Sequence, residues 1–523
     1  MHASKIIDDY IELIKSDEEK YAKDYEVLKE MVANSTAYYK GQPVPFNYQP
    51  FFLDQIDLEN FKYILDKIMT ISKKVINEYL KNPEYRKLFR FPKFIEDMIL
   101  VENKYGVEVP MGRFDIFYKG KEDFKFCEIN TDGSSAMNED MVLSKILLSS
   151  HGLKEFSKKY QLSSFELFDS WVRESLELYK KFDPTNPTPN VAIMDIMESA
   201  TKTEFEEFKK AYERAGLNCE IVDVRDLEYR DGSLYHKDFK IDLIYRRLVT
   251  FELIENKEDC QDFIDAYMDN AMCTIGTIQS QVIHNKIFFK ILYDKETREF
   301  LDEDDIDFID NHIPFTGIFG ESEEVFEKVK NNKDGYIIKP MDKNASTGVY
   351  TGLDFSQEEW EEKLREDFDN ETIYQEFVTD MKIPFVDFDE NGKVFVEELT
   401  NTVGIFSYNE KVAGLYPRMG KDNIIDGLTD YITAPGILAI RRDMQDLLPR
   451  INELTKISKK RDLTLAETLE RQELREEYLL RFRSGFEKEL LNVKVVDEEG
   501  NDITEEKLKK IYSLRKKKWL QNL

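Results

Sequence analysis

The chain has 523 residues, 41% hydrophobic and 13% aromatic, enough to bury a large core and, at roughly 150 residues each, to make about three domains. Its 104 acidic residues outnumber the 74 basic ones, for a net charge of −30. That balance speaks against a nucleic-acid-binding protein, which needs a basic footprint, and suits attraction of cations such as metals or polyamines.

The first segment reads as an amphipathic helix without the apolar run of a signal peptide. Apolar positions recur at three and four through residues 1–100, predicting a helical N-terminal region. A hairpin follows near 112–130, then helices over 138–150 and 164–182. Pro184, Pro187 and Pro189 mark a boundary. Beyond it, strands at 191–196, 219–224 and 241–248 with a helix at 203–216 predict a small α/β unit with a parallel sheet. It has no GxGxxG loop after its first strand, so dinucleotide binding is not indicated. Residues 284–301 read as one helix, 335–352 as strand–turn–strand, 358–368 as a helix, and 372–378, 393–408 and 411–420 as strands. The rest is charged and helical, with i,i+4 Arg/Glu pairs over 465–483 and a basic final helix. Cys127, Cys219, Cys260 and Cys273 form no CxxC pair, so neither a zinc site nor a disulfide framework is expected. No apolar run of about 18 residues occurs, so no membrane span is expected, and the cytoplasm is the expected location.

The chemistry concentrates in the hairpin. Its antiparallel strands can bring Asp115 and Glu128 side by side. Glu128 and Asn130, two apart in a strand, share a face, as do Arg113 and Asp115. Two close carboxylates repel unless something positive lies between them. Mg²⁺ would serve, because it takes few carboxylates and lets substrate phosphates fill its shell. Farther on, Lys339 ends a strand before Pro340 and a polar loop that can offer backbone amides to phosphates. Lys343 in that loop is a second candidate. Gln375 and Glu376 lie about 35 residues on, where a strand leads into a connecting segment. Glu376 can accept from an adenine amino group or a ribose hydroxyl.

The Lys-Pro strand, polar loop, helix and Gln-Glu-Phe-Val strand, in that order, resemble the ATP-grasp fold, in which two α+β lobes hold ATP between them. Arg113, Asp115, Glu128 and Asn130, with Asp132 and the two serines after it, resemble the glutathionylspermidine synthase family. Asn285-Lys286 and the segment around Arg418 add to the likeness, which covers roughly residues 90–435. The resemblance implies that Asp115, Glu128 and Asn130 hold Mg²⁺, that Arg113 serves the reacting phosphoryl and carboxylate groups, and that Ser134 and Ser135 contact a thiol-peptide substrate. It further implies that Lys339 binds ATP phosphate and Arg418 a substrate carboxylate. A second phosphate lysine is expected upstream, for which Lys290 and Lys286 both stand open. Gly133 replaces a family serine, and the loop after Pro340 lacks the family's Gly-Arg start. No cysteine precedes Cys127 and the only early histidine is His2, so the family's amidase is not expected.

The expected fold is therefore mixed α+β and α/β. It comprises a helical region (1–100), the site hairpin with helices (101–185), a small parallel-sheet pre-ATP-grasp-like domain (186–282), ATP-grasp lobes (283–435) and a charged helical extension (436–523). The expected function is ATP- and Mg²⁺-dependent ligation of a carboxylate to an amine, with a polyamine as one candidate, through an acylphosphate. The acid would be a small molecule or a peptide. A ligase with unrelated substrates and a non-catalytic nucleotide-binding protein remain open alternatives. No nucleic acid or membrane partner is expected, and the sequence is silent on oligomeric state.

Overall fold

A computed structural model describes residues 3–479, apart from 40, 343–346, 369, 379–380, 426–430, 442–446, 460, 462, 465–466, 473 and 477. It divides into two compact units, Met1–Ile440 and Arg441–Leu523.

In the larger unit the helix Gln55–Lys81 is the longest. Asp54 caps it, accepting from the Ile56 and Asp57 N–H groups while Asp57 answers the Asp54 N–H. Such a cap contributes about 1 kcal/mol. The stripe Phe61, Ile64, Leu65, Ile68, Ile71 and Val75 is buried in the main core. The N-terminal region is helical as expected, with three short strands besides: Tyr38–Tyr39, Gln42–Pro43 and Phe51–Leu53.

The site hairpin consists of β1 (Met111–Tyr118) and β2 (Phe124–Asn130). Past the proline boundary come β3 (Val191–Asp195), β4 (Cys219–Asp223), β5 (Leu243–Arg246) and β6 (Cys273–Ile275). They form an all-parallel sheet in the order β6-β5-β3-β4. Every residue of β3 and β5 is buried, as a sheet covered on both faces requires.

The next sheet is antiparallel, in the order β7-β10-β8-β9, from β7 (Thr316–Ile318), β8 (Tyr336–Pro340), β9 (Tyr350–Thr351) and β10 (Thr372–Glu376). The helices Glu323–Asn331 and Gln357–Asp367 bury Phe326, Val329, Trp360 and Leu364 in the small core that this sheet shares. Then come β11 (Lys382–Phe388), β12 (Val394–Tyr408), β13 (Lys411–Gly420), β14 (Tyr431–Thr433) and β15 (Gly436–Arg441). β12 pairs with β1, so the hairpin joins a six-stranded sheet, β14-β13-β12-β1-β2, with β11 also on β12. Two α+β lobes beside a small parallel sheet are the arrangement that the ATP-grasp resemblance implies.

One expected helix is broken. Residues 284–301 form Ile287–Ile291 and Lys295–Arg298, and His284 ends a separate turn, Gln281–His284. Asn285 is extended there, which frees the Lys286 N–H for the Met341 carbonyl at 3.0 Å. A tertiary hydrogen bond thus overrides a helical pattern.

In the smaller unit the helix Leu447–Ser458 carries Arg450, whose guanidinium binds both carboxylate oxygens of Glu470 at 2.7 and 2.8 Å. Arg461 binds Glu467 in the same way. The expected final helix lies outside the described residues.

Candidate functional site

The hairpin register is Arg113 opposite Asn130 and Asp115 opposite Glu128. The expected side-by-side placement of the carboxylates is therefore present. The Asn130 side-chain N–H groups reach both carboxylates, Glu128 at 3.0 Å and Asp115 at 3.4 Å. Asp115 is fully buried. Arg113 grips it with two parallel bonds of 2.7 and 2.9 Å and donates a third to the Ser135 carbonyl at 3.1 Å. Arg418, from β13, donates to Asp115 Oδ2 at 2.7 Å. Its Nε is buried without a partner among the described residues. Burial works against the charge on Arg113, but Asp115 outweighs it and holds the guanidinium protonated more firmly than usual.

Between Asp115 and Ile116 the register slips, because Ile116 lies opposite Phe126. Cys127 is thereby left out of the pairing, as the extra residue of a bulge. Its carbonyl accepts instead from Lys339 Nζ, at 3.2 Å. Lys339 is buried at the end of β8 and donates also to Gln375 Oε1 at 2.8 Å. Gln375 in turn donates to Thr316 Oγ1 at 3.0 Å. The Lys-Pro strand thus meets the ribbon one residue from Glu128. Burial pushes the Glu128 carboxyl up, but Lys286, the Asn130 amide, Lys339 and Arg418 together hold it well below the usual carboxylate range.

Of the two upstream lysines, Lys286 stands at the site, its Nζ 4.0 Å from Glu128 Oε2. Lys290 pairs with Asp294 at 2.8 Å, one helical turn on, and does not line the pocket of Glu128, Lys286, Lys339 and Gln375. Glu376 is exposed at the strand end, where its carboxylate accepts from the Phe315 N–H. Lys343 lies outside the described residues.

Ser134 is buried, and its hydroxyl donates to the Asn130 carbonyl at 2.6 Å. Ser135 is half-buried beside Arg113. Gly133, where the resemblance implies a serine, has φ +64°, and a Cβ there would lie 2.6 Å from both the Arg247 carbonyl and Val249. The local backbone therefore demands glycine. Sequence reasoning missed Arg246, at the end of β5, which binds Asp132 at 2.6 Å while the Thr250 N–H takes the other oxygen. These bonds fix the turn that carries both serines. The available signal was a charged residue at the carboxyl end of a parallel strand, where such sheets place their sites.

Two carboxylates and an amide are a hard-oxygen set suited to Mg²⁺ when phosphates complete the shell. Among the described residues no three His, Cys, Asp or Glu side chains form a metal-ready group, so a cation here would owe part of its shell to a ligand. Glu128 fits that role as it stands, whereas the Asn130 amide turns its N–H groups to both carboxylates and would have to flip to present its oxygen. Asp115 is shared by two guanidiniums, and its Oδ2 would have to be released by both Arg418 and Arg113. Asn285 borders both this pocket and a neighbouring cavity of about 520 Å³, lined by Phe91, Phe251, Thr250, Gln281, Asp342 and Glu371 among others. There, Gln281 Oε1 and Thr250 Oγ1 are buried without partners among the described residues.

Comparison with known proteins gives two family matches. Residues 35–301 match the family described as glutathionylspermidine synthase preATP-grasp, and residues 446–509 match a bacterial protein family of unknown function, DUF896. A UPF0291 protein of Exiguobacterium sibiricum is 54% identical over 65 residues, 12% of this chain and 83% of that protein. The C-terminal segment, expected only as a charged helical extension, therefore has a counterpart of its own. Among solved structures, a glutathione synthetase-like effector from Globodera pallida covers 80% of this chain and 96% of its own at 12% identity and a TM-score of 0.48. A putative gamma-glutamylcysteine synthetase from Methylobacillus flagellatus covers 71% and 83% at 11% identity and a TM-score of 0.38. Among the described residues no helix is long and apolar enough to cross a membrane.

Proposed function

The chain belongs to the glutathionylspermidine synthase preATP-grasp family through residues 35–301 and to the DUF896 family through residues 446–509, and from this premise we propose that its larger unit is an ATP- and Mg²⁺-dependent ligase joining a carboxylate to an amine. The observation that carries the reading is Lys339, a buried ammonium one hydrogen bond from the strand that bears Glu128. Its hydrogen bonds go to neutral acceptors, so a phosphate would be its first strong counter-ion.

In this reading Lys339 and Lys286 bind the phosphates of ATP, Gln375 holds Lys339 in place, and Glu376 reaches the adenosine. Glu128, with Asp115 once released and the Asn130 amide flipped to present its oxygen, would hold Mg²⁺. Held there, the ion would supply positive charge against the negative charge developing on the transferring phosphoryl group. A carboxylate oxygen of the acid substrate attacks the γ-phosphorus and ADP leaves, giving an acylphosphate. The amine nitrogen attacks the acyl carbon, phosphate departs, and the nitrogen loses a proton. Arg113 steadies the transferring group. Arg418 offers its unpartnered Nε to the substrate carboxylate, beside Ser134 and Ser135. The cavity next to Asn285 has room for the amine. No covalent protein nucleophile is required. Positioning and charge stabilisation suffice.

The test is phosphate release with MgATP and pools of small acids and amines. Release that requires both pools supports a ligase. Tight ATP binding without release from any pool overturns it.

A further inference from the structure

Arg113 and Arg418 are like charges that converge on one buried carboxylate. Asp115 supplies a single negative charge to two guanidiniums, which repel each other. A second attraction lies against both. The Tyr416 ring centroid is 5.4 Å from the Arg113 guanidinium carbon and 5.6 Å from that of Arg418. Both distances fall within cation–π range, and the attraction strengthens where water is excluded. Tyr416 is only 6% exposed.

The two arginines come from β1 and β13, with β12 between them. What lets them meet across β12 is Gly404. It pairs with Asp115 on one side and with Tyr416 on the other. A Cβ at this position would lie 2.7 Å from Arg113 Cδ and 2.9 Å from Asp115 Oδ1. Glycine inside a strand marks such a close approach.

We propose that Tyr416 and Gly404 are positioning residues for the ligation. The ring face and the open strand position hold the two guanidiniums side by side, so that a substrate carboxylate meets both in a fixed geometry. Neither residue touches the reacting atoms. The proposal rests on the ligase reading for its consequence, and on the geometry alone for the arrangement it describes.

The test compares Tyr416→Phe, Tyr416→Leu and Gly404→Ala with the parent protein. Phosphate release is measured with the active acid–amine pair, Mg-AMPPNP binding by calorimetry, and unfolding by heat. Tyr416→Phe keeps the ring and should stay within about twofold of the parent. Tyr416→Leu should lose about tenfold in kcat/KM for the acid, the scale of one desolvated cation–π contact, with Mg-AMPPNP affinity near the parent's and a lowered melting temperature. Gly404→Ala should behave like Tyr416→Leu if it folds. Parent-like turnover in Tyr416→Leu overturns the proposal. So does equal damage in Tyr416→Phe, or an equal loss of nucleotide affinity in Tyr416→Leu. If the parent releases no phosphate with any pool, the ligase reading fails, and a crystal structure of Tyr416→Leu decides the positioning claim alone. Arg418 displaced from Asp115 supports it, and both guanidiniums unmoved overturns it.

Discussion

The two sheets that meet at the site carry charge in opposite ways. On the six-stranded sheet, the carboxylate of Asp115 is bound by two guanidiniums. On the four-stranded sheet, the ammonium of Lys339 is buried against an amide oxygen and a backbone carbonyl, and among the described residues no carboxylate stands within ion-pair distance of it. One side therefore brings its own ionic partners, a single carboxylate shared by two guanidiniums. The other keeps a cation whose strong partner must arrive from outside. The contrast separates a group that shapes the site from a group that captures an anion.

The sharpest way to break this contrast is Lys339→Met. Nucleotide affinity and turnover should fall by about 10³-fold, the upper end for one charge-stabilising group. Calorimetry with Mg-AMPPNP checks the first and phosphate release the second, and near-parental affinity would mean that the ammonium captures nothing. Arg113→Ala probes the platform. There kcat should fall by about 10²-fold while ATP affinity is largely kept. A parallel loss of ATP affinity would erase the distinction between the two sheets.

Glu128 sharpens the comparison through pH. Its carboxyl is held below the ordinary value by the cations around it, despite burial. A depressed folded-state pKa stabilises the fold above about pH 4 and loses that contribution as pH falls toward the folded value. Glu128→Gln should therefore melt below the parent at pH 7, with the gap closing as pH drops under about 4, and ATP binding should lose its dependence on Mg²⁺. A gap that stays constant with pH would contradict the electrostatic cause.

Glu139 gives the opposite sign. Burial, and then the neighbouring Glu204, push its carboxyl up to about 8. From about pH 4.3, where the unfolded group titrates, up to about 8, folding takes up a proton and costs more as pH rises. Glu139→Gln should remove that slope, so its melting temperature should exceed the parent's by more at pH 8 than at pH 5. Equal differences at both values would show that Glu139 does not titrate in this window.

Much of the ribbon was legible because strand periodicity assigns faces. Asp115, Glu128 and Asn130 meet as alternation and a short turn require. The Lys-Pro strand and the Gln375 strand were legible for the same reason, and their antiparallel pairing sets Lys339 beside Gln375. The choice between Lys286 and Lys290 was not. Both sit in one apparent helix, and only the bond from the Lys286 N–H to Met341 breaks that helix and aims Lys286 at Glu128. Nor was Arg246 legible as the anchor of the serine turn, since its partner Asp132 lies 114 positions away in the chain.

By itself the sequence determined which side chains share a face of each strand, and with that the make-up of the acidic ribbon and of the lysine strand. Only the tertiary structure decided that these faces meet, that a bulge frees the Cys127 carbonyl for Lys339, and that Arg418 crosses a glycine gap to Asp115. The reason is physical. Periodicity is a local property of the backbone, whereas the meeting of distant strands is set by which buried surfaces pack together and which buried polar groups find partners.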